Sequence, residues 1–185
     1  MTEKLLVQPP NHMPFWVRLG TWFAERITGK EMLAPRILSW YKKAALSSGI
    51  LEALVSHGEG KADGRLLKLI RIQISLQIGC PFCTDMNSSN SETHNITQQE
   101  IASLRDSGKL PDATFSPFEA AALAYARNLT ATPPVIDDNV TDELRCLFNE
   151  KELVVISTTI AQVNYWARLL KGLGVPAACP IQNRK

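Results

Sequence analysis

The stretch RLLKLIRIQISLQIGCPFCTDMN, residues 65–87, decides the fold. From Arg65 to Ile78 it is apolar on most faces, through Leu66, Leu67, Leu69, Ile70, Ile72, Ile74, Leu76 and Ile78. Its β-branched residues and partial alternation would suit a strand. About fourteen residues without a turn signal favour a buried helix instead. Gly79 then reads as the helix terminator, Cys80 falls where an N-cap would sit, and Pro81 suits the first position of a new helix. That second helix is predicted to run through Cys83 to about Ser91.

Working outward, helical patterns continue in both directions. Before this stretch, Phe15, Trp16, Leu19, Trp22, Phe23 and Ile27 recur at helical spacing, as do Ile37, Leu38, Tyr41, Ala45, Ile50, Leu51 and Leu54 between Ala34 and His57. The glycine-rich segment 58–64 is a loop. After it, Thr97 with Glu100 makes a capping box for a helix to Ser107, and Ser116 with Glu119 opens another, lined by Phe118, Ala121, Ala122, Tyr125 and Leu129. Ala131-Thr-Pro-Pro breaks that helix. A short helix from Thr141 to Phe148 and a long one from Lys151 to about Leu173 complete the chain. The expectation is an all-α fold of about seven to eight helices, with residues 1–30 as an N-terminal helical arm and 31–185 as one domain.

Composition narrows the function. The chain has 185 residues, 45% hydrophobic and 21% charged, with 20 basic and 18 acidic residues and a net charge of +2. That balance gives no concentrated positive field, so nucleic acid is not expected as a partner. No apolar run is long enough for a membrane span, and the N-terminus lacks the pattern of a secretory signal. A cytoplasmic protein is expected, and the four Asn-x-Ser/Thr matches carry no weight there. Four cysteines do not make a disulfide scaffold, and a close pair in a reducing compartment is more often catalytic or metal-binding.

Cys80 and Cys83 are the constellation with evident chemistry. At a helix start they lie close enough to bond, and Cys83 falls near unpaired N–H groups and the positive end of the helix dipole, which favours thiolate. Two other readings stand beside a redox dithiol. A zinc site needs a second ligand pair, yet Cys146 and Cys179 are distant in sequence and His94 is the nearest histidine. The pair could also be inert, since free Cys packs as a small hydrophobe. A thioredoxin-type site is a poor fit without a βαβ context.

Residues 68–87 (KLIRIQISLQIGCPFCTDMN) resemble the core motif of the carboxymuconolactone decarboxylase and alkylhydroperoxidase D (AhpD-like) superfamily. The resemblance extends through Ile96–Leu104, Phe118–Ala126, Ile160–Leu169 and Gly174–Pro176, and so covers roughly residues 34–177. It implies an all-α fold and trimeric or hexameric homo-oligomers. It also implies a peroxidatic Cys83, a resolving Cys80, a hydroperoxide substrate, no bound cofactor or metal, and an external dithiol reductant. The family's Glu and His positions hold Lys68 and Asn87 here. Asn87 cannot titrate, although it can hydrogen-bond a thiolate. Lys68, if near the sulfurs, would lower a thiol pKa. Asp85, His94 and Glu119 are the candidate replacement proton relays.

Three activities compete. A thiol-dependent hydroperoxide reductase or related dithiol oxidoreductase leads. Lactone decarboxylation would call for cationic and acid–base groups in place of a dithiol. The third is an oligomeric interaction protein with an unused dithiol. For the last, the aromatic face of residues 15–27, with Arg18, Arg26 and Lys30 nearby, has three destinations: its own domain, a neighbouring subunit, or a membrane surface.

Overall fold

The computed structural model describes residues 5–55, 57–105 and 114–178. Among them are nine α-helices and no strand: α1 (Phe15–Thr28), α2 (Leu33–Leu38), α3 (Lys42–Val55), α4 (Gly64–Ile78), α5 (Pro81–Ser88), α6 (Gln98–Ser103), α7 (Pro117–Thr130), α8 (Asp138–Leu147) and α9 (Glu150–Gly172).

Helix α4 is the centre of the molecule and packs against α9, α7 and α5. Leu66, Leu69, Ile70, Ile72 and Ile74 are fully buried and meet Leu123 of α7 and Ile156 and Ile160 of α9 in one core. This packing explains why a run rich in isoleucine is a helix. Each isoleucine gives up a few tenths of a kcal/mol of helix propensity, whereas burying its side chain contributes about 1.5–3 kcal/mol. Asp63 caps the start of α4 by accepting the Leu66 N–H at 2.9 Å.

The end of α4 sets up the site. Gly79 takes a left-handed conformation at φ +69°, and its N–H reaches back to the carbonyls of Ser75 and Leu76. An L-residue would occupy that region at a cost of about 1–2 kcal/mol, so glycine is the residue that turns the chain from α4 into α5. A second, smaller core gathers around this turn. Ala34 and Ile37 of α2, Phe82 of α5, Ala167 and Leu170 of α9, and Val175 enclose Cys80 and Cys83.

Several boundaries depart from the sequence pattern. The segment expected as one helix from Ala34 to His57 is split into α2 and α3. Trp40 and Tyr41 donate their N–H groups to Ile37 and Leu38 in tight i→i−3 bonds, while the Trp40 indole is held by the Gln8 carbonyl at 2.7 Å. Helix α5 ends at Ser88, and a 3₁₀ turn over Ser91–His94 follows, bounded by Asn90 and Asn95 in left-handed conformations. Helix α8 starts three residues earlier than expected because Asp137 caps it. Helix α6 stops before Leu104, and the loop around Pro111 lies outside the described residues.

Helix α1 rests on the chain through Val17 and Thr21, both buried, and turns Phe15, Trp16, Leu19, Trp22, Phe23 and Ile27 outward. The aromatic face therefore does not pack on its own domain. No helix among the described residues is long and apolar enough to cross a membrane.

Candidate active site

Cys80 is the N-cap of α5, Pro81 its first residue, and Cys83 lies one turn in. The two sulfurs are 2.6 Å apart, and both cysteines are buried.

The electrostatics differ from a simple dipole argument. The Cys83 N–H, an otherwise unpaired group of the helix start, points at the Cys80 sulfur at 3.3 Å. The Cys83 thiol is pushed well above the ordinary thiol range, first by its hydrogen bond to Cys80, then by burial and by the charge on Cys80. The helix N–H works against that rise. The pair thus holds one proton tightly between its sulfurs, and the helix end favours charge on the capping sulfur over the one inside the helix.

The other residues singled out from the sequence are distributed along α4 and α5. Asn87 lies one turn below Cys83 on α5, and its amide N–H₂ donates to the Ser75 hydroxyl at 2.8 Å. Ser75 in turn donates to the Arg71 carbonyl at 2.7 Å. Asn87 is thereby fixed against α4. Lys68 is half-buried, and its Nζ donates to the Ser89 carbonyl at 2.7 Å, at the C-terminal end of α5. Along the helix that end is about 9 Å from Cys83 and about 13 Å from Cys80. Lys68 caps a helix terminus, and it is not among the groups that shift the Cys83 thiol. Burial, chiefly, lowers its own pKa, with Arg71 and Lys30 acting in the same sense and Glu92 opposing.

His94 and Glu119 are farther still. The His94 ring lies over Gly64, and Glu119 accepts from Arg65 at 2.8 Å, both at the start of α4. That is about 20 Å along α4 from Cys80. Asp85 is on α5, but Lys30 takes its carboxylate at 2.6 Å and also reaches the Ser89 hydroxyl. Among the described residues no three His, Cys, Asp or Glu side chains converge as metal ligands. Cys146 is exposed, and Cys179 lies outside the described residues.

Sequence reasoning assigned none of three further contributors to the site. Ser75 interrupts the apolar run of α4, and that interruption was its signal. Lys30 ties the α1–α2 segment onto α5, with nothing in its sequence context to announce it. Trp166 packs against the dithiol core while its indole N–H donates to Glu52 at 2.9 Å, beside Gln162 on the same oxygen at 2.8 Å. Those bonds join α3 to the wall of the site.

The nine α-helices of the described residues, centred on α4 and with C-x-x-C following its glycine terminator, have the AhpD-like fold of peroxidase-related proteins. Three similar proteins illustrate the likeness. A peroxidase-related protein from Ralstonia eutropha JMP134, described as an alkylhydroperoxidase AhpD core, superposes with a TM-score of 0.74 at 12% identity, covering 89% of this chain and 86% of that one. The debrominase Bmp8 superposes with a TM-score of 0.77 at 18% identity over 94% of this chain and 92% of its own. A cysteine-to-alanine form of Bmp8 is solved with 2,3,4-tribromopyrrole. In sequence, the chain is 26% identical to the uncharacterized protein YnjA of Escherichia coli over 172 residues, 91% of this chain and 92% of that protein. No protein-family model matches the chain.

Proposed function

We propose that this chain is a dithiol oxidoreductase that reduces hydroperoxides, with Cys83 as the attacking sulfur and Cys80 as the resolving one. The observation that carries this reading is the 2.6 Å approach of two buried sulfurs at the start of α5. Cys83 is the less deeply buried of the two, at 4% exposure against 0%. The Cys80 sulfur, where the helix end favours the charge, acts as the base and takes the Cys83 proton as Cys83 attacks, so the nucleophilic thiolate forms at that moment. Cys83 attacks the terminal peroxide oxygen, the O–O bond breaks, and the alkoxide takes up a proton to leave as the alcohol. Cys80 then attacks the sulfenic acid on Cys83, and water departs as the disulfide forms. The two thiols supply two electrons and two protons to one hydroperoxide, giving one alcohol and one water. An external dithiol restores the pair by exchange.

With Asn87 bound to Ser75 and Lys68 at the far helix end, the proton for the leaving alcohol comes from the dithiol itself or from solvent. A dedicated acid–base group contributes about 10²–10⁴-fold, so turnover is expected to be slow by that measure. The test is steady-state loss of cumene hydroperoxide with dithiothreitol as reductant. Wild type should turn over, and Cys83→Ser and Cys80→Ser should not. Equal background rates in all three would remove the peroxidase reading.

The walls of the site favour a second reading. Ala34, Ile37, Met86 and Trp166 make the surroundings of the sulfurs apolar, which suits a halogenated aromatic as well as an organic peroxide. Reductive loss of bromide from 2,3,4-tribromopyrrole, the ligand of the Bmp8 complex, would use the same two thiols and release bromide and a proton. Bromide release dependent on both cysteines would select it.

A further inference from the structure

We propose that the aromatic face of α1 is the docking surface for a second copy of this chain, the two α1 helices lying antiparallel about a two-fold axis near Gly20. Phe15, Trp16, Leu19, Trp22, Phe23 and Ile27 are between 45% and 77% exposed. With aromatic side chains of about 150–250 Å² each, they leave on the order of 800 Å² of apolar surface in water. The largest patch on a monomer is about 300–600 Å², whereas one side of a standard interface is about 800 Å². A helix normally turns such a stripe onto its own core. Here Val17 and Thr21 make that contact instead.

The charges choose the occupant and the direction. Arg26 is exposed and lies within the apolar arc, not at its rim. A bilayer-facing helix keeps its cations on the polar side, whereas arginine is enriched at protein interfaces. A parallel pair would set Arg26 against Arg26. An antiparallel pair centred between Gly20 and Thr21 holds the two Arg26 side chains about 16 Å apart along the axis. It also places Arg26 beside the partner's Phe15 and Arg18 beside the partner's Phe23, in cation–π register. Leu19 lies at the centre of the arc, next to the two-fold axis, and is 54% exposed.

The test is sedimentation velocity of the full chain from about 1 to 50 µM, with dithiothreitol present to prevent disulfide links. Wild type should sediment as an even-numbered assembly. Trp22→Glu with Phe23→Glu should halve its mass, weakening association at least 100-fold with unchanged helix content by circular dichroism. Leu19→Gln, an exposed substitution of nearly equal helix propensity at the centre of the arc, guards against loss of folding in the double variant and should weaken association at least tenfold. A wild type that stays monomeric at 50 µM overturns the proposal, as does association indifferent to Leu19→Gln. Co-sedimentation of monomers with phosphatidylcholine–phosphatidylglycerol vesicles, abolished by Trp22→Glu, would assign the face to lipid and overturn it as well.

Discussion

Removing the Arg65 side chain tests how α4 is locked to its neighbours at the end opposite the dithiol. Its Nε is 2.8 Å from Glu119 Oε1 on α7, and its Nη2 is 2.5 Å from Glu100 Oε1 on α6, while Nη1 donates to the Asn95 carbonyl. The Glu119 and Glu100 side chains are 7% and 12% exposed, and Arg65 is 26% exposed. Breaking a fully buried ion pair from one side costs about 3–5 kcal/mol. Two features reduce that here. Water screens part of the guanidinium, and each carboxylate keeps its capping bonds, to Thr97 at 2.6 and 2.9 Å and to Ser116 at 2.9 and 2.7 Å. Arg65→Ala should therefore cost about 2–3 kcal/mol. In urea, with a slope of about 2 kcal/mol/M, the midpoint should fall by about 1–1.5 M with the slope unchanged. Adding Glu100→Gln and Glu119→Gln should recover part of the loss, because glutamine keeps the capping geometry without the stranded charge. A cost below about 0.5 kcal/mol, or a triple variant weaker than the single one, would refute the reasoning. Acid supplies a further arm. Burial alone would raise the Glu100 carboxyl, but the Thr97 N–H and Arg65 outweigh it and hold it below the usual range. The unfolded chain then binds the extra proton, so this stabilisation is present above about pH 4.5 and is lost as pH falls through the folded value. Arg65→Ala should flatten that acid limb.

Three further outcomes are expected. Lys30→Ala removes the tie from the α1–α2 segment to Asp85 and Ser89; it should cost about 1 kcal/mol or less, yet speed alkylation of Cys83 by iodoacetamide several-fold, whereas an unchanged rate would mean α2 is held by packing alone. Because the Cys83 thiol is pushed up in the fold, the unfolded chain loses its proton first, so stability should be intact below about pH 9 and decline above it, and the thermal midpoint of wild type should fall there more steeply than that of Cys83→Ala. Gly79→Ala should destabilise by about 1–2 kcal/mol through its left-handed backbone, measured by urea unfolding, and a neutral result would mean the α4–α5 turn relaxes.

The central stretch was legible because its signals are local. An apolar run too long for a strand, a glycine terminator, a capping position and a proline at the helix start identify α4, the turn and α5 from residues 65–87 alone. The capping boxes at Thr97 and Ser116 were legible for the same reason. The split of α2 from α3 was not, since it depends on i→i−3 bonds and on the Trp40 indole meeting Gln8, thirty-two positions away. The site was legible as a pair of cysteines and not as a surrounding. Lys68 lies twelve residues before Cys80 and Asn87 four after Cys83, yet it is the distant one that reaches the end of α5 while the nearer one bonds the Ser75 hydroxyl. Side-chain direction across two packed helices separates them, and spacing does not record it. The same holds for His94 and Glu119, which the packing of α4 carries to its opposite end. The α1 face illustrates a third limit: its periodicity announces a helix with an apolar stripe, but not whether the stripe faces inward or outward.

The most direct test of the dithiol account is a count of free thiols after one equivalent of cumene hydroperoxide is added to the reduced protein. Two thiols should disappear per hydroperoxide consumed, return on treatment with dithiothreitol, and be retained in Cys83→Ser, with peptide mapping placing the new bond between Cys80 and Cys83. Thiols that stay reduced while the peroxide persists, or loss confined to the exposed Cys146, would contradict it.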